Sequence, residues 1–202
     1  MEKPLPKMIG RAVSLQNLMH KIFEELPQSV IVEGKAYDIN TDFRVWVQIC
    51  SYMESDEFSY EDKILKLLCD AYTRELPPHL DSAIDALFDF MVQGKVRESS
   101  NGGACEKVID FYLDEGLIYA AFMQQYGIDL YSQNLHWWSF INLLNSLDEN
   151  TAFMKIVGYR GMNCDAIKNK ELKKFYRRMK NKYRLYRDVN DNEIASTLES
   201  VM

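Results

Sequence analysis

Histidines are the first residues in this sequence that could carry acid–base or metal chemistry. The chain has three, His20, His79 and His136, and each lies on a different segment. No serine, cysteine or carboxylate accompanies them at a spacing typical of a catalytic triad or a zinc site. We therefore expect all three histidines to have structural roles.

Cysteines could supply a nucleophile, a disulfide or a set of zinc ligands. The four cysteines stand at positions 50, 69, 105 and 164, far apart, and no two form a Cys-x-x-Cys pair. Three of them lie within or beside apolar helical patterns. This placement favours reduced, buried thiols in a cytosolic protein, with a disulfide or a zinc site as the alternative.

Two other groups have some features of catalytic motifs. The run Asn-Gly-Gly at 101–103 lacks the lysine and hydroxyl residue of a phosphate-binding loop. Two of the carboxylates Asp110, Asp114 and Glu115 could be paired for acid–base work, but carboxylates at the start of a helix usually interact with the helix dipole. The sequence therefore indicates no catalytic residue, no cofactor site and no metal site, and we expect that the protein is not an enzyme.

Composition limits the classes that remain. With 202 residues, of which 47% are hydrophobic, the chain can build one substantial core or two small cores that share an interface. A net charge of −6 argues against a protein that coats nucleic acid, because such binding needs a basic surface. No window approaches the roughly 18 apolar residues of a membrane span, and the N-terminus lacks the apolar run of a signal peptide. We expect a soluble, cytosolic protein.

The elements that must position these residues are mostly helical. Residues 30–39 predict a β-hairpin, because β-branched residues precede Gly34-Lys35 and an extended segment follows. Helix 43–53 is apolar on most sides, so we expect it to be the central element, capped by Asn40 or Thr41. The predicted fold class is mainly α, a helical bundle-like domain with an N-terminal β-hairpin packed on it.

The remaining helices follow from apolar periodicity and from stop signals such as Gly94, Gly127 and Gly158. They are predicted at 14–25, 60–72, 81–93, 114–126, 134–147, 149–157 and 170–185, while 108–112 is ambiguous between a strand and a helix start. The predicted organisation is an N-terminal extension with a short helix (1–26), a hairpin plus helical half (27–94), a flexible linker loop (95–104), a second helical half ending in a basic helix (105–187) and an acidic tail (188–202).

Charge is concentrated in that basic helix. Residues 168–187 contain ten bases and one acid, whereas 188–202 contain four acids and no base. Apolar residues recur at helical spacing, so one face is expected to dock while the basic face meets water. They are Leu172, Phe175, Met179, Tyr183 and Tyr186. The basic face is then a solvated surface that offsets the acidic body or tail, a site for an acidic protein, or a site for RNA or DNA.

The adjacent tryptophans Trp137 and Trp138 point about 100° apart on a helix, so both cannot centre on one core. They are either core residues of a helix flanked on two sides or a hot spot at an oligomer or partner interface, where tryptophan is enriched.

Several short motifs occur in a set order between residues 26 and 185. They are Val32-x-Gly34-Lys35, Ile39-Asn40-Thr41-Asp42-Phe43-Arg44 with Trp46, Lys63-Ile64-Leu65-Lys66-Leu67-Leu68, Ile118-Tyr119-Ala120-Ala121-Phe122 with Gln124-Gln125-Tyr126-Gly127-Ile128-Asp129-Leu130, Leu135-His136-Trp137-Trp138 with Phe140, Ile156-x-Gly158-Tyr159-Arg160, and Phe175-Tyr176-Arg177 with Lys180. In this order the chain resembles the bacteriophage gene-product-fifteen family of tailed phages and prophages of Gram-positive bacteria.

That resemblance implies a protein encoded between the major tail protein and the tape-measure protein. It implies a non-enzymatic tail-assembly chaperone in the host bacterial cytoplasm that binds the tape-measure protein and needs no cofactor. A second tail-assembly protein and another copy of the chain are further candidate partners. A structural virion component, such as a neck or tail-completion protein, is the alternative, followed by a nucleic-acid-binding phage protein.

For a chaperone of this kind, six residues are the candidate protein-binding residues. An apolar patch is expected to provide affinity, and the basic helix is expected to steer the partner. The patch comprises Trp137, Trp138 and Phe140, and the steering residues are Arg177, Arg178 and Lys182.

Overall fold

A computed structural model describes residues 25–94 and 107–185. Over these residues the chain forms one β-hairpin followed by seven α-helices, which confirms the predicted mainly α class. The helices are α1 (Phe43–Glu54), α2 (Tyr60–Ala71), α3 (Leu80–Met91), α4 (Glu115–Tyr126), α5 (Trp137–Asn145), α6 (Ala152–Gly161) and α7 (Lys170–Tyr183), with a 3₁₀ turn at Cys164–Ala166. The predicted short N-terminal helix, the linker loop at 95–104 and the acidic tail at 188–202 fall outside the described residues, apart from the last residue of that helix.

The hairpin joins β1 (Ser29–Val32) to β2 (Lys35–Asp38) in antiparallel register. Its two turn residues, Glu33 and Gly34, have φ of 50° and 83°. Two positive φ values in succession match the turn whose twist suits a two-residue hairpin, and glycine adopts such a value without strain. The turn therefore lies one residue earlier than the Gly34-Lys35 pair suggested.

Helix α1 is the central element, as predicted. Phe43, Trp46 and Ile49 are buried along one face, and α1 packs on both α2 and α5. The side chain of Asp42 caps the helix by accepting a hydrogen bond from the backbone N–H of Arg44, at 2.9 Å. The expectation of a cap at Asn40 or Thr41 was wrong, because the carboxylate of Asp42 reaches the free N–H groups of the first turn.

Several helix ends match their local signals. Ser59 caps α2 by accepting from the N–H of Asp62, and Gly127 ends α4 with a φ of 65°. Gly158 does not end a helix: α6 is capped by Thr151 and continues through Gly158 to Gly161. A glycine within a helix costs only about 1 kcal/mol, and here the extra turn carries Arg160, whose buried contacts outweigh that cost.

Two predicted segments differ in the structure. Residues 107–114 form turns and irregular backbone, neither the strand nor the regular helix considered for 108–112. The tryptophan-bearing helix begins at Trp137 instead of 134, since Phe43 N–H donates to Leu135 O and Trp137 N–H donates to Thr41 O. These bonds keep the residues before Trp137 extended.

One hydrophobic core unites the two predicted halves. Aromatic rings from α1, α4 and α5 stack at its centre, where the ring centroids of Phe43 and Phe140 are 4.6 Å apart and those of Phe122 and Phe140 are 5.3 Å apart. The rings of Trp46 and Trp137 stack beside them. Within the described residues, no helix combines the length and apolar character that crossing a bilayer requires.

Candidate partner-binding surface

The motifs at 39–46 and 127–138 converge on one structural junction. Arg44 extends from α1 and donates to the carbonyl oxygens of Leu130 at 2.8 Å and Gln133 at 2.9 Å. It also donates to Asn134 Oδ1 at 3.1 Å and forms an ion pair with Asp42. A guanidinium offers five N–H donors, so one arginine can order this whole loop. The motif residues at this junction therefore stabilise the fold.

His136 takes part in the same junction. Its Nδ1 accepts from the backbone N–H of Trp138 at 3.0 Å, and its Nε2 lies 2.9 Å from Pro27 O. Because Nδ1 is the acceptor, the proton belongs on Nε2, and the ring is neutral. Burial lowers the pKa of His136, which also favours the neutral ring. This histidine is a helix cap that ties α5 to the segment before β1.

The two tryptophans cap the end of α3. The indole Nε1 of Trp137 donates to Met91 O at 3.0 Å, and that of Trp138 donates to Phe90 O at 2.7 Å. The last carbonyls of a helix have no i+4 N–H partner within it, so the Trp137 bond supplies one to Met91 O. The Trp138 bond adds a second donor to Phe90 O, which also accepts from Gln93 N–H at 3.0 Å. The 100° divergence of the two side chains is used to reach two successive carbonyls.

The expected exposed aromatic patch is therefore absent from the surface of the described residues. Trp137 and Phe140 are 3% and 2% exposed, and Trp138 is half-buried. Of the two interpretations of this pair, core packing on a flanked helix is the one observed. This burial argues against the prediction that the three residues form an exposed affinity surface, because α1, α3 and the segment around Phe111 pack against the two tryptophans.

A buried ion pair that the sequence did not reveal links α4, α6 and α7. Arg160 donates to both carboxylate oxygens of Asp114, at 2.6 and 2.9 Å. It also donates through Nε to Tyr183 O at 2.6 Å and through Nη1 to Val108 O at 3.1 Å. The side chain of Asp114 is 1% exposed. This arginine fastens the C-terminal end of α7 to the body of the protein.

Two of the candidate carboxylates, Asp114 and Asp110, are bound to basic side chains. Asp114 sits at the start of α4 but makes no side-chain cap bond, since its carboxylate faces Arg160. Asp110 accepts from the N–H groups of Tyr112 and Leu113 and pairs with Lys107. Burial alone would raise the pKa of Asp110, but these donors outweigh it and lower the pKa. Both carboxylates are therefore engaged in structural hydrogen bonds and ion pairs.

The described cysteines, Cys50, Cys69 and Cys164, are free thiols. Burial raises the pKa of Cys50 to about 12, so it stays protonated and is a poor nucleophile. Cys69 is exposed, contrary to the expectation that the cysteines are buried. Among residues 25–94 and 107–185, no cluster of three or more His, Cys, Asp or Glu side chains is arranged to hold a metal ion.

Helix α7 combines exposed apolar side chains with a high density of positive charge, which are features of a docking surface. Its fourteen residues are all described, and none is fully buried. It packs on α6 through Tyr159, whose ring contacts those of Phe175, Tyr176 and Tyr183. Helix α7 contains seven bases against one acid, Glu171. It is thus a strongly basic helix that packs against the rest of the described structure along one side only.

The two flanks of α7 differ. On one, Lys173 and Arg177 both pair with Asp165, at 3.0 and 2.9 Å, and these contacts lower the pKa of that carboxyl. A cavity of about 420 Å³ lies there, between the 3₁₀ turn and α7. Of the three predicted steering residues, Arg177 is therefore already engaged within the chain. Arg178 and Lys182 are exposed on the other flank.

That other flank also carries apolar side chains. We call Leu172, Phe175, Arg178 and Lys182 the outer face of α7; their spacing of three, three and four places them on one side of the helix. Leu172 and Phe175 are 47% and 38% exposed, and the Arg178 guanidinium lies 5.9 Å from the centre of the Phe175 ring. The predicted apolar stripe therefore docks only partly. Met179 and Tyr183 are half-buried and one edge of Phe175 contacts Tyr159, while Leu172 and the rest of the Phe175 ring remain in water.

Comparison with known proteins agrees with the motif order. The family described as Bacteriophage Gp15 protein matches the chain over residues 22–185. This range includes both strands and all seven described helices, and it ends two residues after α7. No curated protein and no solved structure matches the chain.

Proposed function

The chain belongs to the Bacteriophage Gp15 protein family, and from that premise we propose that it is a tail-assembly chaperone. In this proposal it has no enzymatic activity and binds the phage tape-measure protein in the cytoplasm of the host bacterium. The observation that carries the proposal is the outer face of α7, where exposed apolar and cationic side chains lie side by side on a body that is otherwise acidic.

The chemistry of the outer face suits such a partner. A tape-measure protein outside the tail would present helices with long apolar stripes, so affinity must come mainly from apolar contacts. Leu172 and Phe175 offer these contacts. Arg178 and Lys182 beside them would raise the association rate for an acidic segment, since charge at an interface acts mostly on encounter. In this proposal α7 provides the affinity that the sequence suggested for the patch of Trp137, Trp138 and Phe140.

The absence of enzymatic activity is part of the proposal, and two observations support it. His136 is used as a helix cap, and the carboxylates of Asp110 and Asp114 are bound to Lys107 and Arg160. Groups committed to structural bonds in this way are poor candidates for proton transfer, because releasing them would break the fold locally.

Co-expression with the tape-measure protein of the same phage tests the proposal. We expect the tape-measure protein to remain soluble and to co-elute with the chain in gel filtration. Phe175→Ser should weaken the complex, whereas Leu65→Ser, a change at a residue that is 62% exposed on α2, should not. The proposal fails if the tape-measure protein is equally insoluble with and without the chain, or if the two substitutions act alike.

A structural virion component is a second candidate, and the burial of Trp137 and Phe140 favours it. Without an exposed tryptophan patch, the molecule offers fewer apolar contacts to a client than the sequence suggested. Mass spectrometry of purified phage particles separates the two functions. A chaperone should be absent from the particles, while a neck or tail-completion subunit should be present at a constant copy number.

A further inference from the structure

The acidic segment that follows α7 matches its outer face in charge, apolar pattern and length. We propose that residues 188–202 bind the outer face of α7 within the same chain and cover it while no partner is bound. This inference concerns the isolated chain and does not depend on the proposed function, because it makes no reference to a tape-measure protein.

Charge complementarity is the first argument. Helix α7 carries seven bases and one acid, while residues 188–202 carry four acids and no base. Two of those bases, Lys173 and Arg177, are paired with Asp165 on the other flank. Arg178 and Lys182 belong to the outer face, where the positive potential would attract an acidic segment.

Apolar complementarity is the second argument. Leu172 and Phe175 remain 47% and 38% exposed beside these bases. In the acidic segment, Ile194, Leu198 and Val201 are spaced by four and three, which corresponds to one side of a helix. On such a helix Glu193 and Glu199 would lie to either side of the apolar stripe. An apolar stripe flanked by acids fits a face on which apolar residues adjoin bases.

Length is the third argument. Helix α7 has fourteen residues and is about 21 Å long at 1.5 Å per residue. The fifteen residues 188–202 could cover that length if they ran back along it. The four residues 184–187 that join the two segments fall within the roughly 2–5 residues that typically connect antiparallel helices. The segment also lies beyond residue 185, where the family match ends, so the cover would be a property of this chain.

The C-terminal end of α7 has a defined position for this arrangement. Arg160 holds Tyr183 O at 2.6 Å and is itself paired with buried Asp114. The chain therefore leaves α7 from an anchored point. An anchored start raises the effective concentration of the following residues near the helix, so weak contacts suffice for binding within the chain.

Zero-length carbodiimide cross-linking of the full chain tests the proposal, because it joins only carboxylates and amines that touch. An equal mixture of unlabelled and ¹⁵N-labelled chains distinguishes links within a chain from links between chains. We expect links from Asp191, Glu193 or Glu199 to lysines of α7, within single chains. The exposed pair Lys35–Glu75 provides a positive control.

Two perturbations test whether the contact is specific. In about 0.5 M NaCl the yield of the tail links should fall several-fold, because salt screens exposed charges. Phe175→Ser and Arg178→Glu, which leave every lysine in place, should lower it as well. Replacing three exposed acids away from α7, Asp56, Asp85 and Asp89, by asparagine should leave the yield unchanged.

Each remaining outcome contradicts the proposal. Links found only between labelled and unlabelled chains would show that a second copy occupies the outer face. Tail links that ignore both substitutions on α7 would indicate unspecific contact. The absence of any tail link, while Lys35–Glu75 is linked, would show that the segment does not touch α7.

Discussion

The Asp114–Arg160 pair should be among the largest single contributions to stability outside the aromatic core. Replacing Asp114 with alanine would leave the Arg160 guanidinium buried with no carboxylate partner. The side chains of Arg160 and Asp114 are only 10% and 1% exposed, so water cannot take the place of the lost carboxylate without opening the structure. Removing one partner of a buried pair costs about 3–5 kcal/mol, and we expect Asp114→Ala to lower the free energy of unfolding by that amount.

The geometry explains why the cost should lie in this range. Two charge-assisted hydrogen bonds, at 2.6 and 2.9 Å, are lost, and bonds of this type contribute about 1.5–3 kcal/mol each. The bonds from Arg160 to the carbonyls of Tyr183 and Val108 can persist, which limits the loss. The double change Asp114→Leu with Arg160→Met removes both charges, so it should cost about 2–3 kcal/mol less than the sum of the two single changes.

Urea denaturation followed by tryptophan fluorescence and by circular dichroism would measure these values. Asp165→Ala is the matched control: it removes an aspartate that pairs with Arg177 and Lys173 on the surface. An exposed pair contributes about 1 kcal/mol or less, so this control should shift the denaturation midpoint only slightly. If Asp114→Ala and Asp165→Ala cost the same, or if the double change is fully additive, the structural role assigned to the buried pair is wrong.

Three further predictions concern the core, the cap of α5 and partner binding. Trp46→Ala should cost about 3–5 kcal/mol, because this fully buried ring touches Phe90 and Trp137; a loss under about 1 kcal/mol in urea denaturation would contradict its central place. His136 has its pKa lowered by burial, so its contribution to stability is present above its unfolded pKa of about 6.5 and is lost as pH falls through the lower folded value. Measured in urea at successive pH values, this acid loss should shrink in His136→Asn, where asparagine can still cap the helix; an equal loss in both proteins would contradict it. Arg178→Glu should slow association with the tape-measure protein and weaken its salt dependence in stopped-flow measurements, whereas Lys155→Glu on α6 should not; equal effects would argue for net charge alone.

Much of the fold could be predicted from local signals. The hairpin, the helix opened by Ser59, the helix ended by Gly127 and the apolar face of α1 all follow from interactions among residues close in the sequence. Caps, turns and periodicity depend on neighbours within a few positions, so the sequence determines them without reference to the rest of the molecule. The basic character of α7 belongs to the same class, because charge is a property of the residues themselves.

The candidate surface could not be predicted in the same way. Trp137 and Phe140 suggested an exposed patch, yet the end of α3 and the rings of α1 enclose them, and no local pattern indicates which helix will lie opposite. Asp114 has the position of an N-cap, but Arg160, forty-six residues away, takes its carboxylate. Where a side chain can bond either to a local or to a distant partner, tertiary packing determines which bond forms.

The sequence by itself determined that one basic, half-apolar helix stands in an acidic protein. Only the tertiary structure decided which side of that helix faces water. The ring of Tyr159 packs against those of Tyr176 and Tyr183, and Asp165 forms an ion pair with Arg177 on one flank. Arg160 donates a hydrogen bond to the carbonyl oxygen of Tyr183, the last residue of α7. These contacts set the rotation of α7 about its axis, and helical periodicity alone leaves that rotation open when apolar and basic residues share a face.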